Sequence, residues 1–166
     1  MNWKKLQNGS DIRGVALEGI EGENVNLTEE VIMTIGKSFV CWLRKTMGVE
    51  NPTIAVGMDC RLSGNAIKGA FIKGAAEAGA NVVDCGLAST PAMFMTTISD
   101  TVKATASVMV TASHLPFNRN GLKFFTPKGG LDSKDIAAIL EIAENGEYAY
   151  DGAKGNATVM DFMSVY

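Results

Sequence analysis

Three short apolar runs, Thr53-Ile54-Ala55-Val56-Gly57, Val82-Val83 and Val108-Met109-Val110, are separated by longer stretches with helical periodicity. Runs of this kind read as strands buried on both faces, and strands alternating with helices imply a largely parallel sheet with helices on either side. The first helix is the clearest. Thr28 is a good N-cap, Glu29 and Glu30 suit the positive end of the helix dipole, and Val31, Ile32, Ile35, Phe39, Trp42 and Leu43 form one apolar stripe. Arg44 and Lys45 precede the terminating Gly48. A second helix is expected from Asn65 to Ala78, closed by Gly79, with small residues Gly69, Gly74, Ala75 and Ala76 for close packing on the sheet. A third starts at Thr90-Pro91 and continues from Ala92 to Ile98, and a fourth runs from Ser133 to Asn145, capped by Ser133 or Asp132. The run Leu122–Thr126 follows 106–111 too closely for a crossover, so that pair is antiparallel. The expected fold is α/β, a three-layer α/β/α sandwich with a mixed, mostly parallel four-stranded sheet.

With 166 residues, 46% apolar and 20% charged, the chain fits one domain with a single core and gives no sign of disorder. A net charge of −3 argues against a nucleic-acid partner, though a few local cations can still attract a small anion. No apolar run is long enough to span a membrane and no basic leader precedes an apolar stretch, so a soluble, cytoplasmic protein is expected. Cys41, Cys60 and Cys85 have no C-x-x-C spacing and are expected to be reduced. With one histidine, a self-contained zinc site is not expected.

Ligands of open α/β sheets gather at the carboxyl ends of the strands. The segments Met58–Gly64, Gly86–Pro91 and Thr111–Gly121 should therefore share a rim, bringing Arg61, Thr90, Ser113, His114 and Lys123 to one cleft. Residues 106–131 are the most informative part. A buried strand breaks into Thr111-Ala112-Ser113-His114, then Pro116, Asn118, Asn120 and Gly121, before a second strand carrying Lys123. An ordinary turn explains a Ser-His pair by itself. Adjacent residues in extended chain point to opposite faces, and no G-x-S-x-G elbow surrounds Ser113, so a Ser-His nucleophile-base pair has weak support. Ser10–Val15 reads as a surface turn with a solvated Arg13, or as a fixed guanidinium offered to a phosphate. Residues 18–27 read as a loop.

Four motifs in order, Asp11-Ile12-Arg13-Gly14, Val56 to Gly64 (VGMDCRLSG), Gly86 to Pro91 (GLASTP) and Thr111 to Pro116 (TASHLP) with Asn120-Gly121-Leu122-Lys123, resemble the first domain of the α-D-phosphohexomutases, the phosphomannomutase/phosphoglucomutase type in particular. The resemblance implies that residues 1–150 form the domain carrying the phosphoserine, and that 151–166 form an interdomain linker and the start of a second domain. The chain would then be the first part of a four-domain enzyme, and the part alone would be inactive. By position, Ser113 is similar to the serine that bears the catalytic phosphoryl group. His114 and Lys123 resemble neighbours that orient substrate and assist proton transfer, and Arg13 resembles the arginine facing the transferring phosphate. Arg61 lies in a family motif, either as loop support or as part of the site. Leu115 stands where many members carry Asn.

The implied reaction interconverts hexose 1-phosphate and hexose 6-phosphate (glucose or mannose) through a 1,6-bisphosphate. Mg²⁺ would bind a phosphoserine oxygen at Ser113 and carboxylates of the second domain. A serine hydrolase and a non-catalytic phosphosugar-binding or interaction module are the competing readings. Implied partners are a phosphorylated hexose, the remaining domains, and further copies through an exposed interdomain face. The chain past Tyr148 is expected to be poorly anchored.

Overall fold

The computed structural model describes residues 1–166. A 3₁₀ turn, Trp3–Leu6, leads into β1 (Gln7–Asn8) and β2 (Asp11–Val15), followed by α1 (Glu29–Met47), β3 (Thr53–Met58), α2 (Gly64–Glu77), β4 (Asn81–Leu87), α3 (Thr90–Met95) and β5 (Ala106–Val110). Then come β6 (Arg119–Thr126), β7 (Gly129–Gly130), α4 (Ser133–Asn145), β8 (Ala157–Val159) and a 3₁₀ turn at Phe162–Ser164.

Helices α1 and α4 end where their chemistry says they should, whereas α3 stops at Met95, short of the expected Ile98. Thr28 accepts a hydrogen bond from the Val31 amide at the start of α1, and Gly48 closes it in the left-handed conformation. Asp132 caps α4 through a reciprocal box with Asp135, which settles the choice between Asp132 and Ser133.

All the strands form one eight-stranded sheet in the order β1-β2-β6-β5-β3-β4-β8, with β7 beside β6. This corrects the expected four-stranded, mostly parallel arrangement. Three pairings are parallel, β3–β4, β3–β5 and β4–β8. The other four, β1–β2, β2–β6, β5–β6 and β6–β7, are antiparallel. The main error lay in β2. Asp11–Val15 is a buried strand, not a surface turn, and Ile12 packs into the core while Gly14 lets the chain pass close to Asn26 and Leu27. A central glycine in a five-residue segment looks like a breaker in sequence, whereas here it marks a close approach. The strands β1, β7 and β8 are two or three residues long, too short to show a period.

Helices α1, α2 and α4 cover one face of the sheet over a core that includes Phe39, Phe71 and Phe124, with the rings of Phe39 and Phe124 4.7 Å apart. The smaller α3 and Phe162 cover the other face, against Ala55, Met109 and Phe125. The small residues of α2 serve a different contact from the one expected. A Cβ on Gly74 would collide with the Met33 backbone, and one on Gly36 would lie 2.8 Å from the Phe71 carbonyl, so this pair of glycines sets the close crossing of α1 and α2. Gly69 faces open space.

The segment beyond Tyr148 is tied down, contrary to expectation. The Arg44 guanidinium stacks 4.2 Å over the Tyr150 ring, the Gly155 amide donates to Ala76, β8 extends the sheet beside β4, and Phe162 is buried. No helix is long and apolar enough to cross a membrane.

Candidate active site

The antiparallel half of the sheet places the cations. In β2 and β6, Asp11 lies opposite Lys123 and Arg13 opposite Gly121. Strand alternation puts Asp11, Arg13, Lys123 and Phe125 on the face covered by α3. There the Asp11 carboxylate, buried with 9% exposure, receives both cations: Arg13 at 3.0 Å and Lys123 at 3.2 Å, one on each oxygen. Gly121 makes room for this arrangement. A Cβ there would lie 2.8 Å from the Arg13 Cγ and collide with the Ile12 carbonyl. The Arg13 Nε is buried with no hydrogen-bond partner, a donor held in reserve.

The same register reaches the serine loop. Thr111, just beyond β5, donates its amide to the Gly121 carbonyl, so Arg13, Gly121 and Thr111 lie abreast on neighbouring strands. Two strand spacings, about 10 Å, separate the outer two. Ser113 follows two residues later in a turn, exposed, with φ of 57°. The left-handed region costs a non-glycine residue about 1–2 kcal/mol, so neighbouring contacts must hold it there. Because the serine is not extended, its hydroxyl and the His114 Nδ1 come to 3.4 Å despite being adjacent in sequence. No carboxylate bonds to His114, so the triad needed by a serine hydrolase is missing its acid. Neither Arg13 nor Lys123 contacts the Ser113 hydroxyl; both turn toward Asp11.

The loop after β3 grips the serine loop. Arg61 donates to the carbonyls of Ser113 (2.6 Å), Pro116 (2.9 Å) and Arg119 (3.1 Å). The Thr111 hydroxyl donates to Asp59 at 2.6 Å and accepts the Ser113 amide at 3.0 Å. On the other side, the buried Asn118 and the half-buried Arg119 both donate to Glu23. The Asn118 and Arg119 hydrogen bonds hold the Glu23 carboxyl below its ordinary value. Asn120, fully buried, bonds the Ser63 hydroxyl and the Gly121 amide. Thr90 sits apart from the serine, with Phe94, Lys123 and Phe125 around a shallow groove of about 330 Å³.

Of the residues expected to converge, Ser113, His114 and Arg61 form one cluster, and Arg13 and Lys123 a second on the adjoining face, joined by Asp11. Sequence reasoning missed Asp11, Asp59, Thr111 and Glu23. Asp11 alternates with Arg13 once 11–15 is recognised as a strand; the contacts of Asp59 and Glu23 are 52 and 95 residues away in sequence and left no local trace.

The sequence pattern of a family described as phosphoglucomutase/phosphomannomutase, alpha/beta/alpha domain I, matches residues 4–150. The chain belongs to that family. Among curated relatives, a phosphoglucomutase/phosphomannomutase of Thermococcus kodakarensis is 36% identical over 137 residues, covering 82% of this chain and 28% of that protein. A phosphoglucosamine mutase of Halalkalibacterium halodurans is 38% identical over 138 residues, 80% of this chain and 28% of the relative. The chain thus spans little more than a quarter of the length of these relatives. The crystal structure of a phosphoglucomutase/phosphomannomutase family protein from Burkholderia thailandensis superposes with a TM-score of 0.78 at 25% identity, over 95% of this chain and 33% of that one. The family match covers every group of the two clusters, since all lie between residues 11 and 123.

Proposed function

We propose that this chain is the phosphate-relaying domain of a phosphohexomutase, with Ser113 as the residue that carries the phosphoryl group. The observation that carries the reading is a serine held out from the sheet rim in a left-handed turn, beside a face bearing Arg13 and Lys123 and within a domain I match. In the forward step a sugar hydroxyl attacks the phosphorus of phospho-Ser113; the new O–P bond forms as the serine O–P bond breaks, and the proton lost by the sugar returns to the serine oxygen. The hexose 1,6-bisphosphate so formed gives back its other phosphoryl group by the reverse chemistry, leaving hexose 1-phosphate or 6-phosphate. Positive charge around the equatorial oxygens is what such a transfer needs, and Arg13 and Lys123 would supply it by turning from Asp11 toward the phosphate. A phosphate of about −2 charge would compete with Asp11 for both cations and for the free Arg13 Nε. His114 would orient the substrate beside the serine. Glucose, mannose and aminosugar phosphates all remain candidate substrates.

The relatives' length implies further domains, and Mg²⁺ is expected to draw its carboxylate ligands from them. No group of three or more metal-ligating side chains comes together here, and Asp11 and Asp59 are already engaged, so the residues of this chain do not by themselves fit a divalent ion. A non-catalytic phosphosugar-binding module is the alternative.

Phosphoserine can be encoded at position 113 and titrated by ³¹P NMR. We expect its second pKa below the ordinary value of about 6, restored by Arg13→Ala or Lys123→Ala. In addition, the chain can replace the corresponding segment of the Thermococcus kodakarensis relative. Mutase activity on glucose 1-phosphate that is lost with Ser113→Ala supports the enzyme reading; an active Ser113→Ala chimera defeats it.

A further inference from the structure

We infer that Arg61 is a positioning residue, which with Asp59 and Thr111 presets the left-handed backbone of Ser113 for phosphoryl transfer. The inference rests on the phosphoserine reading above and adds to it the device that holds the nucleophile. A left-handed serine needs its peptide groups held on both sides, and the structure holds them with a closed ring. The Ser113 amide donates to the Thr111 hydroxyl, which donates to the Asp59 carboxylate. That carboxylate accepts the Arg61 amide at 3.2 Å, while the Arg61 Nε stands 3.9 Å from it without a hydrogen bond, and the Arg61 guanidinium returns to the Ser113 carbonyl at 2.6 Å. The ring begins at the amide of the serine and ends at its carbonyl.

The other terminal nitrogen of Arg61 reaches the carbonyls of Pro116 and Arg119, so one planar group fastens both ends of the serine turn. Arg61 is itself largely buried, with 12% of its side chain exposed, and Asp59 offsets its charge. Its part is therefore geometric. A lysine ammonium brings the same charge to a single point and has no fork to span carbonyls on separate residues.

The test compares Arg61→Lys, Arg61→Met and Thr111→Val in the full chain, each with serine and with encoded phosphoserine at 113. Two readouts are local to the serine: the strong intraresidue HN–Hα cross-peak produced by a positive φ, and the ³¹P titration of the phosphoserine. Core amide resonances report whether each variant folds. We expect Arg61→Lys to fold, to lose the cross-peak, and to move the phosphoserine pKa up toward its ordinary value of about 6, as Arg61→Met does. Thr111→Val breaks the ring on the amide side without altering charge, and the same losses are expected there. If folded Arg61→Lys keeps both the cross-peak and the parent titration, charge alone suffices and the positioning role is overturned. If the parent phosphoserine titrates normally, the phosphoserine reading fails instead, and the cross-peak still decides whether Arg61 sets the backbone. Should Arg61→Met fail to fold, Arg61→Lys and Thr111→Val decide.

Discussion

Substituting Gly121 by Ala tests the packing on which the cation cluster depends. The added Cβ would stand 2.8 Å from the Arg13 Cγ, against an ordinary carbon–carbon approach of about 3.5–4.0 Å, and would also press on the Ile12 carbonyl. The arginine stem can swing away, but the carbonyl belongs to the β2–β6 pairing and cannot move without loosening it. Overpacking of this kind costs about 1–3 kcal/mol, and removing a glycine from the unfolded chain returns about 0.4–1, leaving a net loss of up to about 2.6 kcal/mol. For a chain of 166 residues that corresponds to a melting temperature lower by up to about 10 °C. Gly69→Ala is the control. It faces open space in the interior of α2, so the same methyl should stabilise by about 0.8–1 kcal/mol and raise the melting temperature by about 2–4 °C. Thermal unfolding followed by circular dichroism reads both. The ³¹P titration of phosphoserine at position 113 should move toward its ordinary value in Gly121→Ala alone, because Arg13 has been displaced. A Gly121→Ala chain that melts at or above the parent temperature, with an unchanged phosphate titration, would refute the claim that this glycine seats the arginine.

Phe124→Ala removes the ring that meets Phe39 at 4.7 Å and should cost about 3–5 kcal/mol in chemical denaturation, about 6–20 °C in melting temperature. The Asn118 and Arg119 hydrogen bonds hold the Glu23 carboxyl below the ordinary carboxylate range, so its hold on those residues is present above that range and is lost as pH falls through the lowered value; Glu23→Gln should show faster amide exchange in residues 113–119 at neutral pH. Burial pushes the Cys85 thiol up from 9.0 to about 11, with the Asp84 charge adding to the effect, whereas Cys60 is exposed. A thiol reagent should modify Cys60 first and spare Cys85, as read by peptide mass spectrometry. Because the folded thiol binds its proton more tightly, stability should fall as pH rises from 9 to 11 and the dependence should vanish in Cys85→Ala.

The parallel half of the fold was legible in the sequence because its strands are continuous apolar runs and α1 and α4 carry caps at both ends. Thr28, Gly48 and the box at Asp132 mark their boundaries within a residue or two. The antiparallel edge was not legible, since β1 and β7 pair over two residues each and β2 hides its period behind Gly14, and the parallel strand β8 at the opposite edge is only three residues long. The site divides in the same way. Ser113, His114 and Lys123 stand in one stretch of sequence and could be singled out there. The groups that fix them are remote: Asp59 to Thr111, Arg61 to Ser113, Glu23 to Asn118 and Asp11 to Lys123. A bond formed across the sheet leaves no pattern in a local window.

The sheet order explains why both halves are needed. Strand β5 is parallel to β3 on one side and antiparallel to β6 on the other, so its carboxyl end meets two differently built neighbours. From β3 comes a loop that follows a parallel strand and rises at the same rim, which lets Arg61 reach down on the carbonyls of the serine turn. From β6 and β2 come side chains in mid-strand, fixed by register, which is how Asp11, two pairs below the level of Thr111, gathers Lys123 beside it and Arg13 from that level. A wholly parallel sheet would have supplied loops at the rim and buried apolar positions below it, with no place for cations in mid-strand. The exposed serine and the half-buried cation pair therefore depend on the mixed pairing around β5. A change of register between β5 and β6 by one residue would send Lys123 to the face covered by α1, α2 and α4 while leaving Ser113 and the loop after β3 where they are.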